Sequence, residues 1–102
     1  MKTQVSMLNE GYPPGLRKRI EAKLNGLTKF YERLVSVRAM LAEEQGQHRV
    51  ELVANVGGGT VLVSDGRGSA ARRALDQSLE KMTRQLKRHH GKQVERNRKP
   101  RR

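Results

Sequence analysis

The sequence predicts an α+β fold: a β-α-β-β-β-α two-layer sandwich, with a four-stranded sheet and two helices packed on one face. Three observations lead there. Three segments alternate apolar and polar residues, the period of a strand with one buried face, and a fourth short apolar segment follows a glycine turn. Two other segments space their apolar residues by three and four, the period of an amphipathic helix. The chain has 102 residues, 34% of them hydrophobic, which suffices for a single two-layer core.

The first strand is read at Thr3, Val5 and Met7, which alternate with Gln4 and Ser6. Asn9-Glu10-Gly11 ends it, and Tyr12-Pro13-Pro14-Gly15 turns the chain into a helix whose first turn tolerates proline. From about Pro14 to Tyr31, Leu16, Ile20, Leu24, Leu27 and Tyr31 form one stripe, with Arg19 and Lys23 along its flank and Lys18 and Lys29 further round. Gly26 interrupts this helix at a cost of ~1 kcal/mol relative to alanine. Alternation returns at Val35, Val37, Ala39 and Leu41. After Glu43-Glu44-Gln45-Gly46 it resumes at Val50, Leu52, Ala54 and Val56. Gly57-Gly58-Gly59 is a hairpin signal, because tight turns demand positive φ. Thr60–Ser64 is then a further strand, and short connections make the last three an antiparallel meander. Asp65-Gly66-Arg67-Gly68-Ser69 reads as a loop, with Ser69 as helix N-cap. The second helix runs to about His89 on a stripe of Ala71, Leu75, Leu79, Met82 and Leu86. Gln77, Lys81, Arg84 and Arg88 repeat that spacing two positions later, on the opposite face with Arg73. Residues 1–91 are the expected domain, and residues 92–102, basic and nearly without apolar side chains, the expected disordered tail.

Lysine and arginine number 22 against 10 acids, a net charge of +12, so polyanions are the first partners to consider. The absence of cysteine excludes disulfides, thiolate metal sites and cysteine nucleophiles. No apolar run approaches the ~18 residues of a membrane span, and Met1–Ser6 leads into no secretory h-region. A cytoplasmic protein without membrane contact is the expectation.

The sequence offers no enzyme. Adjacent His89 and His90 diverge on a helix and have no nearby acid or thiol to complete a metal site. Glu43-Glu44 sits at a turn rather than across a cleft. Ser64, Ser69 and Ser78 lack a nucleophile elbow. No catalytic residue, metal or cofactor is predicted. Gly57-Gly58-Gly59-Thr60 lacks the ending of a phosphate loop and reads as a turn. Gly66-Arg67-Gly68-Ser69 opens a helix and carries a cation, so Arg67 is a candidate phosphate contact. The charge is also lopsided: from Lys81 onward there are ten basic residues and one acid, Glu95. Lys81, Arg84 and Arg88 share a helical repeat and so form a surface. Tyr12, Phe30 and Tyr31 are the only aromatics, too few for stacked single-strand readout, which favours backbone and shape recognition of folded RNA.

With these elements in place, the chain resembles the short ribosome hibernation promoting factors and ribosome-associated inhibitors, the sigma-54 modulation protein family, as a divergent member. The stretch Ala74-Leu75-Asp76-Gln77-Ser78-Leu79-Glu80-Lys81-Met82-Thr83-Arg84-Gln85-Leu86-Lys87-Arg88-His89 follows the family's second helix, with Lys81, Arg84, Gln85 and Leu86 at matching positions. Leu16-Arg17, Ala22-Lys23-Leu24 and Leu27 to Phe30 resemble its first helix, and the glycine hairpin and element order agree over about residues 3–92. The resemblance implies a non-enzymatic factor. It would dock basic helices on small-subunit rRNA in the mRNA and tRNA channel, inhibit translation, and preserve idle ribosomes in stress or stationary phase. It implies the small ribosomal subunit as partner, in some bacteria with a ribosome modulation factor, and a monomer off the ribosome. By motif position it implies rRNA contacts at Lys23 and Lys29 and at Lys81, Arg84, Lys87 and Arg88. Where the family has an Asp and a Met-Tyr pair at the start of the second helix, this chain has Ala70, Ala71 and Arg72, and Gly26 replaces a lysine. Arg72 and Arg73 are expected to substitute by phosphate contact. The competing readings are a general structured-RNA-binding module and a protein–protein regulator such as a sigma-factor modulator.

Overall fold

A computed structural model describes residues 1–98, with side chains described through Lys92. The expected architecture is present. Strand β1 (Lys2–Met7), helix α1 (Leu16–Asn25), strands β2 (Ser36–Glu44), β3 (Gln47–Gly57) and β4 (Thr60–Gly68), and helix α2 (Ala71–Arg98) follow in that order. The sheet order is β1-β2-β3-β4. β1 lies parallel to β2, with Val5 opposite Ala39, so α1 is the crossover of a β-α-β unit. β2–β3 and β3–β4 are antiparallel.

Alternation decides which face is buried. Val5, Val37, Ala39, Leu41, Val50, Leu52, Ala54 and Val56 are all within a few per cent of complete burial beneath the helices. From the helix layer Ile20, Leu24, Leu27, Leu75, Met82 and Leu86 close the core. Such side chains contribute roughly 1.5–3 kcal/mol each when buried, so the helix layer is held chiefly by this shared interior. Two residues add a polar contact inside it. The Ser64 hydroxyl donates to the Ser78 carbonyl at 2.8 Å, and the Ser78 hydroxyl donates to the Leu75 carbonyl at 2.8 Å.

Four boundaries differ from expectation. The first helix does not run to Tyr31: α1 stops at Asn25 and Gly26–Lys29 tightens into a 3-10 turn, in which the Thr28 hydroxyl donates to the Asn25 carbonyl at 2.9 Å. The apolar stripe still reaches the core, since Leu27 and Tyr31 are buried. β4 is longer than expected and includes Asp65–Gly68. Its glycines are there for closeness, not for a turn. A Cβ on Gly66 would lie 2.1 Å from the Ala74 carbonyl oxygen and 2.8 Å from the Ser78 nitrogen, and one on Gly68 would lie 3.0 Å from Arg73 Cβ. α2 starts at Ala71, with the Arg73 and Ala74 amides donating to the Ala70 carbonyl, so Ser69 is not its cap. α2 also passes through Gly91 to Arg98. One glycine costs ~1 kcal/mol and does not end a helix whose neighbours are Lys, Gln, Glu and Arg. Residues 92–98, expected in a disordered tail, are therefore helical, and residues 99–102 lie outside the described residues.

Candidate nucleic-acid interface

α1 and α2 lie side by side on one face of the sheet, so their outer surfaces form a single layer. Lys23 Nζ of α1 meets Asp76 Oδ1 of α2 at 3.2 Å and ties the two helices across their groove. Apolar residues Leu16, Ile20 and Leu75 floor that groove, with Arg19, Lys23 and Arg72 around it. On the other side, the Arg17 guanidinium donates to the Val5 carbonyl and fixes α1 to the edge of β1.

The expected site residues fall into three groups. Lys29, Arg72, Arg73 and Arg88 are exposed and make no ion pair among the described residues. Arg84 is also exposed and approaches Glu80 one turn away at 3.9 Å, and Lys87 lies 5.2 Å from the Phe30 ring centroid, a cation–π contact between α2 and the 3-10 turn. These residues cover the crest of the helix layer. Lys81 belongs to a different group. It is half-buried on the flank of α2 and reaches Asp65 of β4 at 3.7 Å. The ridge expected from Lys81, Arg84 and Arg88 is thus uneven: Arg84 and Arg88 are exposed, while Lys81, on the same flank as Arg88 nearly two turns earlier, is half-buried and held by Asp65. Gln77, expected on the same outer face, also turns to β4, where its Oε1 accepts the Arg67 amide at 2.8 Å.

Arg67 is exposed on β4 rather than in a helix-opening loop, and its amide is already engaged by Gln77. The expectation of a phosphate cradle of free amides there is corrected by this strand geometry. Its side chain remains a surface cation. Gln85, matched only as part of a motif, has a structural role: its Nε2 donates to the Val63 carbonyl at 2.7 Å. With Gln77 it covers backbone groups on the free edge of the sheet. Glutamines at positions 77 and 85, two turns apart on one helix flank, are the signal that marks this seam.

His89 and His90 lie within α2, which continues past them. His89 packs edge-on against Tyr31 with ring centroids 5.1 Å apart, and His90 lies 6.1 Å from the same ring. At the opposite end of the sheet, Tyr12 lies 6.0 Å from His48, whose Nε2 is 3.7 Å from Glu43. The Tyr12 hydroxyl and His48 Nδ1 are buried without a hydrogen-bond partner among the described residues. Burial, and secondly the Glu43 carboxylate, push the Tyr12 hydroxyl above its ordinary pKa. Among the described residues, no three His, Cys, Asp or Glu side chains are grouped to hold a metal ion, and no helix is long and apolar enough to cross a membrane.

The arrangement is a convex, cation-rich helix surface on a rigid sheet, suited to phosphate contacts along a folded polyanion. Comparison with known proteins gives a family and a shared fold. Residues 4–94 match the family described as sigma 54 modulation protein / S30EA ribosomal protein. A ribosome hibernation promoting factor from Azotobacter vinelandii is 31% identical over 81 residues, covering 79% of this chain and 75% of that one. Among solved structures, a ribosomal subunit interface protein from Coxiella burnetii superposes with a TM-score of 0.79 at 15% identity, over 89% of this chain and 99% of that one. The N-terminal domain of Protein Y from Thermus thermophilus gives 0.73 at 17% identity, over 84% and 94%. These two likenesses concern the fold.

Proposed function

The chain belongs to the sigma 54 modulation protein / S30EA ribosomal protein family, and from that premise we propose that it is a ribosome-binding hibernation factor. It docks the crest of its helix layer on small-subunit rRNA, in the channel that mRNA and tRNA use, and so inhibits translation and preserves idle ribosomes under stress. The observation that carries this reading is the set of exposed cations on two adjacent helices: Lys29 on the 3-10 turn that extends α1, and Arg72, Arg73, Arg84, Lys87 and Arg88 on α2. Lys23 contributes from the groove, where Asp76 competes for it. Lys81 contributes from the flank, in competition with Asp65.

The action is binding, without catalysis, and takes place where ribosomes work, in the cytoplasm. The domain of residues 1–91 selects the site. The basic residues beyond it, Lys92, Arg96, Arg98, Lys99, Arg101 and Arg102, add attraction without selectivity. The protein acts as a monomer off the ribosome.

Salt-titrated cosedimentation with isolated small subunits tests this. With ~5 phosphate contacts, the log–log salt slope is expected near −3.5 to −4.5, and binding saturates at about one copy per subunit. A general duplex-binding module would coat RNA without saturating. A slope near zero would remove the electrostatic account.

A further inference from the structure

The chain has two tyrosines, one phenylalanine and three histidines. Two of these aromatics and two of these histidines meet at one corner, where the 3-10 turn leads into β2. Phe30 lies under Lys87, and Tyr31 packs against His89 and His90. Beside them is a cleft of about 280 Å³ lined by Tyr31, Arg33, Val56, Gly57, Gly58 and His89. One wall is the partly exposed His89 imidazole, held in place edge-on by the buried Tyr31 ring. The facing wall is the β3–β4 hairpin, where Gly57 and Gly58 take positive φ of 83° and 62° and present backbone without side chains. A cation, Arg33, is exposed at the rim.

This cleft lies just below the ~300–1,000 Å³ of typical small-ligand pockets, too small for a duplex and of a size for one base with its phosphate. Aromatic and imidazole rings stack on any base, and a guanidinium is the usual partner of a phosphate. We propose that the corner takes a single unpaired RNA nucleotide, with the base against the His89 imidazole, which the buried Tyr31 ring backs, and the phosphate on Arg33. This rests on the reading of the chain as an rRNA-binding factor and adds a base-contacting subsite to it. The helix crest meets the backbone of folded RNA, and the corner holds a nucleotide that has left its stack.

Titration of the isotope-labelled full chain with adenosine 5′-monophosphate, followed by NMR, tests the proposal, with inorganic phosphate as a parallel titration. Saturable shifts at Tyr31, Gly57, Gly58 and His89 are expected with the nucleotide and not with phosphate alone. Arg33→Gln, at an exposed position, is expected to weaken nucleotide binding measurably with the fold unchanged. Arg33→Gln with His89→Ala is expected to weaken it about tenfold or more, since loss of one stacked contact is worth about that much. Both variants should keep the parent's affinity for a short RNA duplex within about twofold, as neither residue lies on the crest. Shifts reproduced by phosphate, shifts scattered along α2, or nucleotide binding unaffected by Arg33→Gln would overturn the subsite. Failure of the parent chain to bind duplex RNA and small subunits would instead overturn the broader reading, independently of the nucleotide titration.

Discussion

The two faces of the sheet have been solved differently by the same alternating strands. On the covered face, β4 offers Ser64 and Gly66 to α2, and the helix backbone comes so close that no Cβ fits at Gly66. On the bare face, Val61 and Val63 of the same strand stay 54% and 51% exposed, beside Arg38, Val53 and Glu51. The bare face also mixes its charges, with Arg49 4.0 Å from Glu51. On the helix layer Lys29, Arg72, Arg73 and Arg88 make no ion pair among the described residues, and the acids there, Asp76 and Glu80, are outnumbered by the cations around them. The contrast teaches that this domain separates its two tasks. Close packing is spent where the helices must be held rigid, and charge is concentrated on the side those helices present.

The largest effect in this comparison is expected from Gly66→Ala. The added carbon meets backbone at 2.1 Å, which cannot rotate away. A loss of about 3 kcal/mol in urea unfolding is expected. Val63→Ala, three positions earlier on the bare face, should cost less than about 1 kcal/mol. Similar costs at the two positions would mean that α2 is not seated as closely as described.

A second test concerns the uneven basic ridge. Arg88→Ala should reduce the salt slope of small-subunit binding by about 0.7–0.9, the share of one phosphate contact. Lys81→Ala should reduce it by less, because Asp65 already holds that ammonium. Asp65→Ala should then bring Lys81 closer to the full value. Equal slopes for Arg88→Ala and Lys81→Ala would restore an even ridge.

The smallest effect is at the Tyr12 end. The Tyr12 hydroxyl is held above its ordinary pKa, chiefly by burial and then by Glu43. The folded state thus keeps a proton that the unfolded state gives up from about pH 10. The associated stability is complete below that pH and is lost as pH rises through the folded value. Tyr12→Phe has no proton to lose and should flatten the alkaline part of a stability–pH curve. An unchanged alkaline slope would show that the ring is not buried beside Glu43.

Periodicity carries most of the fold in this sequence. The buried positions of β2 and β3, and the stripes of both helices, follow directly from spacings of two and of three or four. What spacing hides is distance between elements. Gly66 and Gly68 look like turn glycines along the chain and become packing glycines only when α2 lies across them. Ser78 looks like a polar surface residue until Ser64 is placed opposite its carbonyl. The same holds at the candidate site. Arg84 and Arg88 could be placed outward from the helical repeat alone. The turn of Lys81 toward Asp65, of Gln77 and Gln85 toward β4, and of His89 toward Tyr31 each depends on a partner far away in sequence.

The central claim is that the helix crest, and not net charge, docks on the small subunit. It is tested most directly by paired charge reversals in a small-subunit cosedimentation assay. Arg84→Glu with Arg88→Glu changes the crest, and Lys2→Glu with Arg38→Glu makes the same change in net charge on the bare sheet face. Exposed positions of this kind contribute little to stability, so both proteins should fold. The crest pair should weaken binding about 50-fold or more at moderate salt, since two phosphate contacts become repulsions, while the sheet pair should remain within about threefold. Equal losses from the two pairs would contradict the account.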